Sequence, residues 1–290
     1  NPGNSGGPLV NVRGHVIGIN SAIASETGYY AGYGFAIPIN LARTVMNQLI
    51  ETGRVERAVM GINIRDANQE DAEAVGLPEI RGILVRDFTA ADSPARRAGI
   101  QQGDVMVAVD GERVDHVAAL QQRIAFKKPG ETVRVTVLRK RGIRQEILVK
   151  LAAVPSEADV EVADAGGSSP SKSLPVGGAR DNLLGITVQP LTQEDVSDDA
   201  GLRSALRQGG GLAVTNVSPD GPAYRKLASA ADDDAAAPDI ILTVDGKPTR
   251  TRAEFRAALQ NVKAGDIVTL TLLRRGPDGW LGDVVRIKAR

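Results

Sequence analysis

Asn1-Pro-Gly-Asn-Ser-Gly-Gly-Pro-Leu9 opens the chain, and its reading decides the fold of the first segment. A serine hydroxyl is a weak nucleophile at its own pKa. It needs a general base and stabilisation of the oxyanion that forms. Ser5 has glycine nearby at Gly3, Gly6 and Gly7. Without Cβ atoms the backbone can turn sharply there and aim the N–H groups of Gly3 and Ser5 into one concavity, an oxyanion hole. Gly6 and Gly7 then leave room for a substrate carbonyl. Two other readings compete. A Gly/Ser/Asn/Pro cluster also makes a plain loop, and the letters satisfy G-x-S-x-G, a serine turn between a strand and a helix. That second motif needs a helix next, whereas Pro8-Leu-Val-Asn-Val12 continues as a strand, so it is rejected.

Outward from Ser5, Leu9-Val-Asn-Val12 and Val16-Ile-Gly-Ile19 are apolar runs joined at Arg13-Gly14, a hairpin signal. A Gly/Tyr-rich loop from Tyr29 to Gly34 precedes a short strand, Phe35-Ala-Ile37. A helix is predicted from Asn40 to Thr52, with Leu41, Val45, Leu49 and Ile50 on one face and Gly53 as the stop. Two or three strands with a solvated edge are marginal by themselves.

The rest of the chain contains two copies of one pattern. Met60-Gly61-Ile62 corresponds to Leu184-Gly185-Ile186, and Val109-Asp110-Gly111 to Val244-Asp245-Gly246. From Asp104 and Asp239 onward the offset holds at 135 residues, through Gly130/Gly265 and Arg139/Arg274, while at Gly61/Gly185 it is 124. A constant offset through strands, turns and a helix marks duplicated folds. Each copy is mainly β with one amphipathic helix, read from Val117, Leu120 and Ile124 and from Phe255, Leu259 and Val262. Between the copies, residues 153–181 are poor in bulky side chains and rich in Ala, Ser, Gly, Pro and Asp, and read as a flexible linker. A coil of that length spans on the order of 30 Å, so the modules on either side are expected to move independently. The resulting division is 1–55, 58–152, 153–181 and 182–290.

Bulk composition removes several functions. With 35 basic and 35 acidic residues the formal charge is zero, which argues against nucleic acid as the main partner. No apolar run reaches the length of a membrane span. There is no cysteine, so disulfides, thiolate metal sites and cysteine nucleophiles are excluded, and the two histidines, His15 and His116, lie far apart. A zinc site is therefore hard to build here. The chain starts inside a motif and not at Met, which suggests that an N-terminal part has been lost.

Gly3-Asn-Ser-Gly-Gly-Pro8 resembles the nucleophile motif of trypsin-like proteases, and Asn1-Pro2 with Asn4 resembles its HtrA/Deg form. Val16-Ile-Gly-Ile-Asn-Ser-Ala-Ile23 and Gly34-Phe-Ala-Ile-Pro-Ile-Asn40 resemble the same family at the same distance after the serine. The resemblance implies a mainly β fold with α: the C-terminal part of a trypsin-like β-barrel, followed by two PDZ domains. It implies that backbone groups near Ile19, Asn20 and Ser21 hold the substrate peptide and that the loop from Ala24 to Tyr33 shapes its pocket. A catalytic triad also needs His as base and Asp to orient it. In this family both precede the serine. His15, at a hairpin tip, is not a candidate base, and His116 reads as a surface residue.

The duplicated modules resemble PDZ domains of the HtrA/Deg type. Such domains add a C-terminal peptide as an extra strand and hold its carboxylate on backbone N–H groups. The implied binding residues are Met60, Gly61 and Ile62 in the first module and Leu184, Gly185 and Ile186 in the second. Ser93-Pro-Ala95, Ala98-Gly-Ile100 and Gly103-Asp-Val105 complete a family-like first copy. The second has Lys226-Leu-Ala228 and Pro238-Asp239 around an acidic insert instead, so its groove is expected to be altered. The implied activity is a serine endopeptidase that cleaves unfolded or misfolded polypeptides through an acyl-enzyme at Ser5. The implied setting is a bacterial periplasm, the implied assembly a homotrimer or a multiple of one, and the resemblance implies no metal and no cofactor. Two alternatives stay open: a tandem-PDZ adaptor with a degenerate protease remnant, and a chaperone-like holdase.

Overall fold

The structure, a computed structural model, describes residues 4–24, 33–154, 179–181, 183–192, 195–196, 199, 202–203, 206, 211–232, 235–277 and 279–290. Strands β1 (Pro8–Val10), β2 (Val16–Ala24) and β3 (Tyr33–Pro38) form one antiparallel sheet in that order. β1 ends before the predicted Val12 because the Asn11 side-chain carbonyl accepts the N–H groups of Arg13 (2.9 Å) and His15 (3.0 Å) and turns the chain. Helix α1 (Ile39–Thr52) follows and stops at Gly53, as the residue pattern predicts. Its apolar stripe is poorly covered, with Leu49 at 48% and Ile50 at 75% exposure, and Leu9, Phe35 and Ile37 on the sheet are exposed too. Three strands and one helix do not enclose a core. All four buried apolar clusters among the described residues lie beyond residue 57.

The first module contains β4 (Ala58–Val59), β5 (Ile62–Asp66), α2 (Gln69–Ala74), β6 (Ile83–Phe88), α3 (Pro94–Ala98), β7 (Val105–Val109), β8 (Glu112–Arg113), α4 (Val117–Ala125), β9 (Thr132–Arg139), β10 (Ile143–Lys150) and β11 (Ala152–Ala153). Its sheet runs β10-β9-β7-β6-β5, with β8 on β7 and a separate β11-β4 pair. The second contains β12 (Ala179–Asp181), β13 (Ile186–Pro190), β14 (Leu212–Val217), β15 (Ile240–Val244), β16 (Lys247–Pro248), α5 (Arg252–Leu259), β17 (Ile267–Gly276) and β18 (Gly279–Lys288). Its sheet runs β12-β13-β14-β15-β17-β18, with β16 on β15. Each module wraps its own core, around Ile83, Met106, Leu120 and Val135 in one and Leu212, Ile241, Phe255 and Leu270 in the other. At the two ends of the predicted linker, 153–181, Ala153 and Ala179–Asp181 are in strands; residues 155–178 lie outside the described residues.

The 135-residue offset reappears atom by atom. Asp110 and Asp245 are left-handed at φ 52° and 49°, and each carboxylate accepts a backbone N–H, from Arg134 (2.9 Å) and Thr269 (3.0 Å). Asp104 and Asp239 are buried and bonded by Arg139 and Arg274, whose Nη2 atoms also reach the Gly99 and Lys226 carbonyls. The second module thus keeps this internal brace despite its altered sequence around 226–239.

The two modules pack against each other, unlike the independent units expected from the linker composition. Strand β18 lies against β6 and α2, and Val284 joins a buried cluster with Val75, Leu84, Val105 and Val107. Asp71 is fully buried between Arg65 (2.6 Å) and Arg286 (2.9 Å), and Arg286 also donates to the Gly103 carbonyl (2.6 Å). Asp283 is held between Arg86 (2.7 Å) and Arg274 (3.0 Å). Lys226–Glu70, Lys140–Asp245 and Lys288–Glu73 add pairs at the rim. Burial pulls the Arg286 guanidinium below the usual arginine range, opposed by Asp71. These charges come from positions 215 residues apart in the Asp71–Arg286 case, which local pattern does not reveal.

Candidate functional site

Ser5 sits in a tight turn that joins the N-terminal segment to β1. The Gly7 N–H donates to the Asn4 carbonyl (3.0 Å), and Gly6 is left-handed at φ 84°, the position where such a turn needs glycine. The turn is clamped on β2: Gly6 N–H donates to Asn20 O (2.7 Å), and Asn20 N–H donates to Gly7 O (2.9 Å). Ser5 is exposed, and its hydroxyl donates to the Ser21 carbonyl at 3.1 Å. A carbonyl accepts a hydrogen bond but does not take up the proton, so this contact orients Oγ without activating it. Among the described residues no imidazole bonds the hydroxyl; His15 is exposed in the β1–β2 turn and His116 precedes α4.

The predicted site residues therefore separate into groups. Ser5, Asn20 and Ser21 come together, and Ile19 lies opposite Pro8 and Ile37 in the sheet. Both backbone groups of Asn20 hold the serine turn, which residue pattern alone did not anticipate. Gly3, assigned to the oxyanion hole, and residues 25–32 of the pocket loop lie outside the described residues.

Both predicted carboxylate loops have one geometry. Gly61 and Gly185 are left-handed, at φ 71° and 70°. The Met60 carbonyl accepts from Ala95 N–H (3.0 Å) and Gly61 from Thr89 (3.1 Å); Leu184 accepts from Ala223 (3.3 Å) and Gly185 from Ser218 (2.8 Å). In a trans peptide the C=O and the next N–H point opposite ways. The N–H groups of Gly61 and Ile62, and of Gly185 and Ile186, are thereby turned away from these partners. β5 is an edge strand of its sheet, with α4 packed beside it, as α5 packs beside β13. A strand edge, a helix wall and oriented N–H groups at the strand's start are what an added peptide requires.

Residues 58–151 and 182–280 each match the PDZ domain family, and residues 1–46 match the trypsin family. The chain belongs to the PDZ domain family, with a trypsin-like segment ahead of its two modules. More particularly, it is homologous to DegP/HtrA-type serine endoproteases. It is 33% identical over 282 residues to the "Probable periplasmic serine endoprotease DegP-like" of Hahella chejuensis, covering 97% of this chain and 55% of that protein. With the protein of the same name from Bartonella henselae it shares 36% identity over 266 residues, 91% of this chain and 46% of that one. A solved structure, "HtrA-type protease AlgW with tripeptide", is 38% identical with a TM-score of 0.46, covering 55% of this chain and 52% of that one. The chain spans about half the length of the curated relatives it matches.

Proposed function

We propose that this chain is the serine-bearing and peptide-capturing part of an extracytoplasmic, periplasmic serine endopeptidase. Ser5 Oγ gives its proton to the base and attacks the scissile carbonyl of an unfolded or misfolded polypeptide; the C–N bond breaks, the new amine end leaves with that proton, and water hydrolyses the acyl-enzyme to release the carboxylate part and restore Ser5. Gly3 and Ser5 N–H groups receive the oxyanion, and backbone near Ile19 to Ser21 aligns the substrate, with Asn20 acting through the serine turn that it holds. The observation that carries the reading is the Ser5 turn on β2, inside the segment that matches the trypsin family. The base and its orienting carboxylate are assigned to a part of the longer protein outside this chain. The exposed apolar residues on β1, β3 and α1 fit a segment that packs against further protein. We extend the reading to a homotrimer or a multiple of one, and to no need for metal or cofactor, on family resemblance.

Two experiments test it. In the full-length protein a fluorophosphonate probe should label Ser5, and Ser5→Ala should abolish both labelling and casein cleavage. Proteolysis retained in Ser5→Ala would remove the assignment in favour of another nucleophile. The isolated chain should label about 100- to 10,000-fold more slowly, the usual contribution of a positioned general base. Separately, a peptide ending in an apolar residue with a free carboxylate should bind the first PDZ groove, and its amide should bind more weakly because charge-assisted hydrogen bonds are the stronger kind. Equal affinities would show that the groove reads internal segments.

A further inference from the structure

The two PDZ modules share a fold and an offset, but their groove strands do not have the same neighbours. Among the described residues, β5 ends the sheet of the first module and no strand pairs with its outer edge. In the second, the corresponding strand β13 carries β12 on that edge, antiparallel, with Asp181 opposite Ile186, Arg180 opposite Thr187 and Ala179 opposite Val188. Antiparallel addition beside the groove strand, with the segment's C-terminal end nearest the carboxylate loop, is how a peptide ligand would lie.

The difference arises from routing. At the 124-residue offset of the two loops, Ala179–Asp181 correspond to Val55–Arg57. In the first module that stretch forms no strand on β5, and the Arg57 carbonyl accepts from Val154 N–H (2.9 Å) beyond β11. In the second module the same stretch folds back along β13. Burial of the groove strands follows suit. Ile62 and Ile64 are half-buried, whereas their counterparts Ile186 and Val188 are 1% and 0% exposed.

We propose that the second PDZ groove is closed by the chain's own Ala179–Asp181 strand, a tethered stand-in for a peptide ligand, while the first groove is open. This rests on the reading that both grooves take peptides. A segment joined to its groove by a short turn competes at an effective concentration of about millimolar or above. A free peptide then binds with its affinity reduced by the fraction of time the edge is vacant. The second module is thus a latent site, available to a C-terminus only when this strand is displaced.

The test uses the whole chain, which has no native cysteine. Directly opposed cross-strand residues come close enough for a disulfide after small adjustment. R180C/T187C should therefore form an intramolecular disulfide under mild oxidation, and failure to do so in the folded protein would overturn the closure. In calorimetric titration with an apolar C-terminal peptide, the parent and the oxidised R180C/T187C variant should show one site. A179P/R180P/D181P, which removes every N–H of the strand, should gain a second site, at least about tenfold tighter there than in the parent. Two equal sites in the parent, or no gain in a triple-proline variant with an intact fold, would overturn the proposal. If neither protein binds peptide at all, the peptide-capture reading fails instead, and the disulfide alone decides whether the strand covers the edge.

Discussion

A Cβ at Gly61 would lie 2.7 Å from Ser93 Cβ and 3.1 Å from Pro94 Cδ, and one at Gly185 would lie 2.7 Å from the Gly221 Cα. Both positions are also left-handed, so any side chain there meets strain and crowding together. Gly130 has a similar φ of 88° but open space around it. Gly61→Ala should cost about 1–3 kcal/mol from strain alone and more once the clash is added, whereas Gly130→Ala should show the strain only. Urea unfolding of the two variants measures the difference, and equal losses would mean that Ser93 moves aside freely. The glycine requirement was legible in the sequence as a motif. Which atoms enforce it was not, because Ser93 and Gly221 are brought there by the folding of the loop after β6 and β14.

The helices α4 and α5 occupy equivalent places but start differently. α5 has a capping box: Thr251 Oγ1 accepts Glu254 N–H (3.2 Å), and Glu254 accepts the N–H groups of Arg250 (2.7 Å) and Thr251 (3.0 Å). α4 begins at His116, whose side chain makes no cap; the Val117 N–H is accepted instead by Asp66 Oδ1 (2.6 Å) from β5. Thr251→Ala should cost about 1 kcal/mol, the usual loss for such a cap. The backbone N–H bonds from Arg250 and then Thr251 hold the Glu254 carboxyl below its ordinary range. A carboxyl with a lowered folded pKa adds stability above its unfolded value and loses it as pH falls through the folded one. Glu254→Gln should therefore lower the Tm at neutral pH, with the gap to the parent closing as pH drops below the ordinary glutamate range. A gap that stays constant with pH, measured by circular dichroism, would assign the effect to helix propensity.

At the scale of the whole molecule, the contact between the PDZ modules buries charge as well as apolar surface. Asp71 and Arg286 are both buried; removing Asp71 leaves the Arg286 guanidinium buried without its carboxylate, whereas removing Arg286 leaves Asp71 with Arg65. A double-mutant cycle with Asp71→Asn and Arg286→Met should give a coupling of about 0.5–3 kcal/mol, as expected for residues in direct contact. In calorimetry the parent modules should unfold as one transition, and Arg286→Met should separate them into two. Zero coupling with two transitions in the parent would show that the modules do not dock in solution.

The duplication, the strand and helix periods and the serine motif were determined by the sequence alone, because each depends on residues close together in the chain. Ser5, Met60-Gly61-Ile62 and Leu184-Gly185-Ile186 could be proposed as site residues for that reason. The clamp of the serine turn by Asn20, the charge network around Asp71 and the strand on β13 were decided only by the tertiary structure. The stretch 179–181 could pair with β13 or not with the same local letters, and Arg286 finds Asp71 only after two modules have folded and met. Long-range hydrogen bonds and buried charge pairs leave no local period, so the fold is where they first become visible.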